Sequence, residues 1–295
     1  MNTTPDYIPI TGHTRLTALL GSPVTHSISP LMHNESFRLL GLDYVYLCFD
    51  VKEDTLEEAV RGLRQTGIRG FNLTMPNKNK IVQLADRLSL SVQLIGAANT
   101  IVNDNGILTA YNTDGYGFMQ SVKDAGHEIT GKTMTLMGIG GAAAAICAQA
   151  ALDGVKKIHI FARPTSRFWN RTEDMIKKIH QKTACTVILH ENGDLPALKK
   201  ALEESALLVN ATSVGMAPHT GNSIIEDASL LTPHLAVGDI IYNPRETKLL
   251  SMARERGCPT FNGMYMLLYQ GAEAFKLWTG REMPVDVIKE KYFSE

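Results

Sequence analysis

A glycine-rich turn near the middle of the chain constrains the fold more than any other feature of the sequence. The segment TLMGIGGAAAAICA places Gly138, Gly140 and Ala143 in the spacing G-x-G-x-x-A, after an apolar strand pattern and before an Ala-rich helix pattern. Gly138 permits a tight turn, and Gly140 lets the backbone approach a pyrophosphate at the helix start. The pattern predicts a Rossmann nucleotide-binding unit. A glycine turn that serves only close packing, or a methyl-donor site of similar shape, is the alternative.

The loop after the next predicted strand indicates which dinucleotide is bound. An NAD enzyme normally has an Asp or Glu about 20 residues after the first glycine, where it binds the ribose hydroxyls. This chain instead has FARPTSRF, which offers Arg163, Thr165, Ser166 and Arg167 and no acid. Guanidinium and hydroxyl groups suit a 2′-phosphate, so NADP is favoured over NAD. The alternative is that both arginines are merely solvated at a strand end.

Strand and helix patterns alternate along most of the chain, which is typical of α/β proteins with largely parallel sheets. The first part shows strands at 44–51, 68–72, 100–103 and 107–111 and helices at 30–40, 53–65 and 76–84. The second part shows strands at 133–137, 157–162, 185–189, 207–211 and 236–241, helices beginning at 141 and 167, and a last helix at 264–278. We predict a substrate domain (1–115 plus 264–295) and a doubly wound nucleotide domain (116–263), with the last helix returning to the first domain.

Charge and cysteine content argue against several classes of protein. The 29 Lys and Arg against 30 Asp and Glu give a net charge of -1, without the basic cluster that a nucleic-acid partner needs. Cys48, Cys147, Cys185 and Cys258 stand far apart, which predicts reduced core thiols in a cytoplasmic protein and no metal site. The sequence has neither a signal-peptide pattern at its N-terminus nor an apolar run of about 18 residues, so we expect no membrane insertion.

Paired serines occur at a predicted helix start in the first part of the chain. In GSPVTHSISP, Ser29 is predicted to be an N-cap with Pro30 at the first helical position, and Ser27 lies two residues earlier. Capping alone would need only one serine. Two hydroxyls beside a helix N-terminus could bind a carboxylate.

A lysine and an aspartate complete the candidate chemistry. In NLTMPNK, Pro76 is predicted to open a helix, so that Lys78 falls in its first turn, where the macrodipole disfavours a cation. In YNTDGYG, Asp114 is placed to cap the helix that connects the two domains, at their seam. A lysine paired with a carboxylate suits hydride transfer between an alcohol and a ketone, because a proton must leave or join the oxygen. A surface lysine and a simple cap are the alternatives.

Eight segments, in order along nearly the whole chain, resemble the shikimate dehydrogenase family, including its quinate/shikimate branch. They are GSPVTHSISP, NLTMPNK, GAANT, YNTDGYG, GIGGAA, NATSVGM, IIYNP and FNGMYMLLYQGA. The resemblance implies NAD(P)-dependent interconversion of 3-dehydroshikimate and shikimate, a step of aromatic amino acid biosynthesis, or the corresponding reaction on quinate. We expect the protein to take small-molecule substrates and to be a monomer or a homodimer.

The matching motif positions imply residue roles. Lys78 matches the catalytic lysine and Asp114 its partner. Ser27 and Ser29 would hold the substrate carboxylate, Thr74, Asn99 and Gln270 would contact its hydroxyls, and Tyr242 would lie near substrate and nicotinamide. The positions assigned to the cofactor are Gly138, Ile139, Gly140, Gly141, Ala142, Ala162, Arg163, Thr165, Arg167, Ile240 and Gly263.

The sequence departs from the family pattern at two cofactor positions. The glycine turn is usually GAGGA, and here Ile139 replaces the central Ala. The loop after the second strand usually begins Asn-Arg, and here it begins with Ala162 and Arg163. The pair of Arg163 and Arg167 resembles NADP-specific members, whereas the Asp common in the quinate/shikimate branch, which favours NAD, is missing. A sensing protein without catalysis, and a dehydrogenase acting on folate carriers, are the competing hypotheses.

Overall fold

The computed structural model describes residues 9–294 and divides into two compact units. Unit 1 comprises residues 9–113 and 268–294, and unit 2 comprises residues 114–267. Each unit contains one six-stranded sheet. The predicted absence of a signal peptide concerns a segment that lies partly outside the described residues. The assignment of substrate and cofactor domains to residues 1–115 plus 264–295 and to residues 116–263 stays a prediction.

Unit 1 has a mixed sheet with the strand order β2-β1-β3-β5-β6-β4. Its strands are β1 (Arg15–Gly21), β2 (Tyr44–Asp50), β3 (Gly70–Leu73), β4 (Arg87–Leu88), β5 (Thr100–Asp104) and β6 (Ile107–Tyr111). Its helices are α1 (Ser29–Leu39), α2 (Leu56–Gln65), α3 (Leu90–Ile95), most of α9 (Met264–Thr279) and α10 (Val285–Tyr292). Strands β2, β1 and β3 run parallel, and β5 turns antiparallel to β3.

The apolar segment RLTALLG forms β1, which sequence patterns did not assign and which pairs with both β2 and β3. Its buried Ala18 and Leu20 join a core with Phe71 and Ile101. The last long helix belongs largely to this unit, because the indole nitrogen of Trp278 donates to the Ile101 carbonyl at 2.9 Å. The predicted return of that helix to the first domain is therefore confirmed.

Unit 2 has an all-parallel sheet with the strand order β12-β11-β10-β7-β8-β9. Its strands are β7 (Thr133–Met137), β8 (Lys157–Ala162), β9 (Thr186–Glu191), β10 (Leu207–Asn210), β11 (Ala236–Asp239) and β12 (Thr260–Phe261). Its helices are α4 (Asp114–Asp124), α5 (Gly141–Leu152), α6 (Trp169–Lys182), α7 (Leu195–Glu204) and α8 (Lys248–Glu255). Strand order reverses beside β7, and the predicted doubly wound α/β fold is confirmed.

The helix predicted at 76–84 is wrong. Residues 75–79 form turns, and only a short 3-10 helix follows at Lys80–Gln83. The fully buried Asn77 explains the difference, because its side-chain amide donates to the Val51 carbonyl at 2.8 Å. Its backbone N–H donates to the Thr74 carbonyl at 2.9 Å, which closes a tight turn. Contacts with a distant strand end thus override the local helix signal of Pro76.

Among residues 9–294, no helix is both long and apolar enough to cross a membrane. The same part of the chain contains no group of His, Cys, Asp and Glu side chains that could hold a metal ion.

Candidate active site

The paired serines lie at the start of α1, but neither caps it in the predicted way. The helix begins at Ser29, its N-cap is Ile28, and no side chain caps it. The Ser29 side chain instead lies beside Tyr46, and the Ser27 side chain lies beside Cys48. Tyr46 and Cys48 are two residues apart on β2, so they face the same side of the sheet. Both serine side chains thus lie against β2, and the Ser29 N–H donates to Ser27 Oγ at 3.2 Å.

A buried chain of hydrogen bonds runs from Tyr46 across the sheet of unit 1. The Tyr46 hydroxyl donates to Asn72 Oδ1 at 2.8 Å, and Asn72 Nδ2 donates to Thr100 Oγ1 at 2.9 Å. Thr100 Oγ1 donates to Asn99 Oδ1 at 3.1 Å. Burial raises the pKa of Tyr46 well above its ordinary value, so the phenol stays protonated as this chain requires. Tyr46, which lies beside Ser29, and Asn99 therefore belong to one ordered polar network.

Asn99 brings together residues from distant parts of the sequence. Its Oδ1 accepts from the Thr113 N–H at 2.8 Å, which orients the amide. Its Nδ2 donates to Thr113 Oγ1 at 2.9 Å and to Gln270 Oε1 at 3.4 Å. Gln270 lies on α9, in the part assigned to unit 1. Two of the side chains expected to contact substrate hydroxyls are therefore adjacent.

The turn after β3 carries Thr74 and Lys78. The Thr74 side chain packs over Gly21 at the end of β1, where a Cβ atom would clash with it. The Lys78 carbonyl accepts from the Ala98 N–H at 2.8 Å, so its backbone lies next to the loop that carries Asn99. Lys78 is half-buried in a turn rather than in a helix. The predicted effect of a helix macrodipole on the Lys78 ammonium group is therefore wrong.

The remaining substrate candidates, Asp114 and Tyr242, lie in unit 2. Asp114 is the first residue of α4 and half-buried, so it belongs to the first helical turn rather than standing before it as a cap. Tyr242 follows β11 and is 49% exposed. Near it, the position of Gly263 leaves no room for a Cβ atom, which would clash with the Ile240 carbonyl group. Ile240 and Gly263, both expected at the cofactor, are thus in contact.

The glycine turn has the geometry that an anion needs. Gly138 has a φ of 109°, and a Cβ atom there would meet the Ala211 carbonyl oxygen at 2.9 Å. Gly140 is the N-cap of α5 in an extended conformation, and no side chain caps the helix. A Cβ atom at Gly140 or Gly141 would meet nothing within 4 Å. Open space beside the first amides of a helix fits a pyrophosphate, so these residues could hold a dinucleotide.

The other cofactor positions lie within the glycine turn and at the loop that follows β8. Ile139 is buried and Ala142 half-buried, so the bulkier Ile at the family's Ala position is accommodated in the protein interior. Ala162 ends β8 and is buried, whereas Arg163, Thr165 and Arg167 are exposed in the loop that follows. The Arg167 guanidinium lies 4.8 Å from the centroid of the Phe168 ring. Helix α6 begins at Trp169 rather than at 167, which leaves both arginines in the loop.

None of the four cysteines, which all lie within the described residues, forms a disulfide. Cys147, Cys185 and Cys258 are buried as predicted, and burial raises the pKa of each. The prediction of a core thiol is wrong for Cys48, which is half-buried beside Ser27.

Sequence patterns missed Tyr46 and Asn72, which connect the candidate residues of unit 1. Asn72 carried a detectable signal, because it is a polar residue in the buried strand segment GFNL and such groups need partners. Tyr46 carried none, since aromatic residues are common in strands and its role depends on where its hydroxyl points.

Two family models match parts of the chain, and a known relative is similar to it over nearly its whole length. Residues 19–101 match the model of the shikimate dehydrogenase substrate binding domain, and residues 263–291 match that of the shikimate 5'-dehydrogenase C-terminal domain. The chain is 51% identical over 284 residues to the shikimate dehydrogenase (NADP(+)) of Listeria monocytogenes serotype 4b (strain F2365), covering 96% of this chain and 97% of that protein.

Solved structures show the same fold. A crystal structure of shikimate 5-dehydrogenase from Listeria monocytogenes in complex with shikimate and NAD has a TM-score of 0.93 and 50% identity, covering 96% of this chain and 98% of the other. The quinate dehydrogenase from Corynebacterium glutamicum in complex with NAD has a TM-score of 0.82 and 28% identity, covering 96% and 99%.

Proposed function

Because the chain belongs to the shikimate dehydrogenase family, we propose that it catalyses the NAD(P)-dependent interconversion of 3-dehydroshikimate and shikimate. The observation that carries this proposal is the identity of 51% over 96% of the chain to a shikimate dehydrogenase (NADP(+)). The polar network of unit 1 supports it, because it runs from Tyr46, which lies beside the candidate carboxylate contact Ser29, to the candidate hydroxyl contacts Asn99 and Gln270.

The substrate would bind through opposite ends of this network. Ser27 and Ser29 would donate hydrogen bonds to its carboxylate, and the helix start that carries Ser29 adds a favourable dipole. Thr74, Asn99 and Gln270 would contact its hydroxyls. Tyr242 would lie near the substrate and the nicotinamide.

Lys78 and Asp114 would handle the proton. In the oxidation of shikimate, Lys78 Nζ would take the proton of the reacting hydroxyl, and in the reverse direction it would return that proton to the ketone oxygen. Asp114 would orient the ammonium group and balance its charge. When bound, the nicotinamide cofactor accepts or supplies the hydride on the same carbon.

For the cofactor we propose NADP ahead of NAD. Gly138 to Ala142 would hold the pyrophosphate, whereas Ala162, Arg163, Thr165 and Arg167 would hold the 2′-phosphate end. Ile240 and Gly263 would line the nicotinamide. The relative from Listeria monocytogenes is an NADP(+) enzyme by name, whereas the related crystal structure contains NAD. Both cofactors therefore need to be tested.

Quinate is a second candidate substrate. The fold similarity to a quinate dehydrogenase favours it, and quinate offers the same carboxylate and much of the same hydroxyl pattern. A purely sensing protein is less well supported, because the chain retains both Lys78 and Asp114. We further propose a cytoplasmic location, which the four unpaired cysteines favour. For the oligomeric state we propose a monomer or a homodimer.

Initial rates with shikimate and quinate, each with NAD and NADP, test this function directly. We expect the highest kcat/KM for shikimate with NADP. If no pairing forms reduced cofactor, the proposed function is wrong and a sensing role is favoured. If quinate is turned over faster than shikimate, the second candidate becomes the main one.

A further inference from the structure

A completely buried carboxylate lies at the end of β11 in unit 2. Asp239 Oδ1 accepts from the Ile241 N–H at 3.0 Å, and Oδ2 accepts from Thr247 Oγ1 at 2.8 Å. Asn210 Nδ2 lies 3.1 Å from each carboxylate oxygen. A buried charge is costly unless donors surround it, and here three residues from two separate segments supply them. Neither the predicted roles nor the proposed reaction uses this residue.

The three donors belong to two segments of the chain. Asn210 ends β10, and its Oδ1 accepts from the N–H and the hydroxyl of Thr212 at 3.1 and 2.7 Å, which fixes the start of loop 211–216. Thr247 is the N-cap of α8, because its side chain accepts from the Leu250 N–H. Ile241 lies in segment 240–247, which ends at Thr247. Asp239 therefore sets the spacing between loop 211–216 and segment 240–247.

Both segments continue into the candidate cofactor site. Loop 211–216 contacts the glycine turn, because a Cβ atom on Gly138 would meet Thr212 Cγ2 at 2.9 Å. Segment 240–247 contains Ile240, which contacts Gly263, and the exposed Tyr242. Strands β7, β10 and β11 are neighbours in the sheet, and dinucleotides bind at the carboxyl ends of strands in this topology.

We propose that Asp239 is a positioning residue for the nicotinamide half of the cofactor. It acts through Asn210, Ile241 and Thr247, which hold loop 211–216 and the Ile240–Tyr242 backbone at a fixed separation. Rigid support of this kind places contact residues within the small tolerance that ligand binding allows. This inference rests on the proposed function, since it assumes a nicotinamide dinucleotide on unit 2.

Loss of the Asp239 carboxylate should weaken binding of the nicotinamide half of the cofactor and leave binding of the adenosine half unchanged. Binding of NADP and of adenosine 2′,5′-bisphosphate, which lacks the nicotinamide, is measured by calorimetry for the wild type, Asp239→Asn and Thr247→Val. Asp239→Asn keeps the shape but turns an amide N–H₂ toward a donor. We expect roughly tenfold weaker NADP binding for it, as for loss of a charged hydrogen bond, and bisphosphate binding unchanged within about twofold.

Two further variants control for a merely structural effect. Thr247→Ser retains the hydroxyl and should restore NADP binding. Thr135→Val removes another buried hydroxyl pair of unit 2, which Thr135 forms with Ser205 at 2.9 Å, and should leave the affinity of both ligands unchanged. If Asp239→Asn does not fold, Thr247→Val carries the test.

The inference would be overturned if Asp239→Asn lost affinity equally for NADP and for the bisphosphate. Unchanged NADP affinity in folded Asp239→Asn or in Thr247→Val would overturn it as well. A wild type that binds neither ligand and does not oxidise shikimate would contradict the proposed function instead. The two failures are therefore distinguishable.

Discussion

The imidazole ring of His33 stacks on the phenol ring of Tyr46, with ring centroids 4.5 Å apart and an interplanar angle of 10°. His33 is fully buried on α1, and within the described residues neither of its ring nitrogens has a hydrogen-bond partner. This unsatisfied histidine therefore packs against the tyrosine that lies beside Ser29 of the candidate carboxylate site. Burial lowers the pKa of His33 to about 3.

This histidine should make the protein acid-sensitive. Between pH 6.5 and about 3, the unfolded chain binds a proton at this residue and the folded protein does not. The free energy of unfolding should therefore fall as the pH is lowered through this range, by about 2 kcal/mol between pH 7 and pH 5 from this residue alone. Urea denaturation at both pH values measures the loss.

Two substitutions isolate the titration of His33. His33→Phe keeps a stacked ring and removes the proton site, and His33→Gln keeps polar atoms that cannot titrate in this range. Both variants should lose about 2 kcal/mol less than the wild type between pH 7 and pH 5. An equal loss in all three proteins would mean that other groups cause the acid sensitivity.

Local sequence signals predicted unit 2 well because its key features are local. The strand, the turn at Gly138 and helix α5 follow one another directly, so neighbouring residues alone specify them. The failure at 76–84 has the opposite origin. There the side chain of Asn77 donates to Val51, and no pattern within the segment reveals that partner.

In the candidate substrate site, too, local features could be predicted from the sequence and contacts between distant residues could not. Ser27 and Ser29 were visible as a pair, but their contacts to β2 depend on strand pairing that follows the helix in the chain. Asn99 and Gln270, which are 171 residues apart, could be joined only through the resemblance to a known family. Asp239 was not detectable, since an Asp at a strand end is usually a solvated turn residue.

Replacing Lys78 tests the proposed proton transfer. Lys78→Ala should lower kcat by roughly 10²- to 10⁴-fold, the usual contribution of a positioned acid or base, with a much smaller change in KM for shikimate. Steady-state kinetics at saturating cofactor measures both parameters. The matched control is Lys80→Ala, which removes a lysine two residues away that donates to the Glu53 carbonyl at 2.7 Å. Similar kcat values for both variants would exclude Lys78 from the role.

Gly140→Ala tests the cofactor turn without disturbing the core. The new methyl group would meet no protein atom within 4 Å and the backbone there is extended, so the free energy of unfolding should change by less than about 1 kcal/mol. The methyl group would occupy the space proposed for the pyrophosphate, so NADP binding should weaken roughly tenfold. Calorimetry and urea denaturation check the two expectations.

The control for this variant is Gly62→Ala on α2, where a Cβ atom also meets nothing within 4 Å. Alanine in an exposed helix should raise the free energy of unfolding by about 0.5 to 1 kcal/mol and leave NADP binding unchanged. Full NADP affinity in Gly140→Ala would show that the pyrophosphate lies elsewhere.

Arg163 and Arg167 test the choice of dinucleotide. Both are exposed in the loop after β8, where a 2′-phosphate would accept charge-assisted hydrogen bonds from them. The double substitution Arg163→Gln and Arg167→Gln should lower kcat/KM for NADP by roughly 10- to 100-fold and change kcat/KM for NAD by less than about threefold. Lys177→Gln on α6, which removes an exposed cation 3.1 Å from Asp174, controls for a general loss of positive charge. If kcat/KM fell equally for both dinucleotides, the arginines would lie outside the 2′-phosphate site. The absence of an acidic residue after β8 would then not indicate which dinucleotide is preferred.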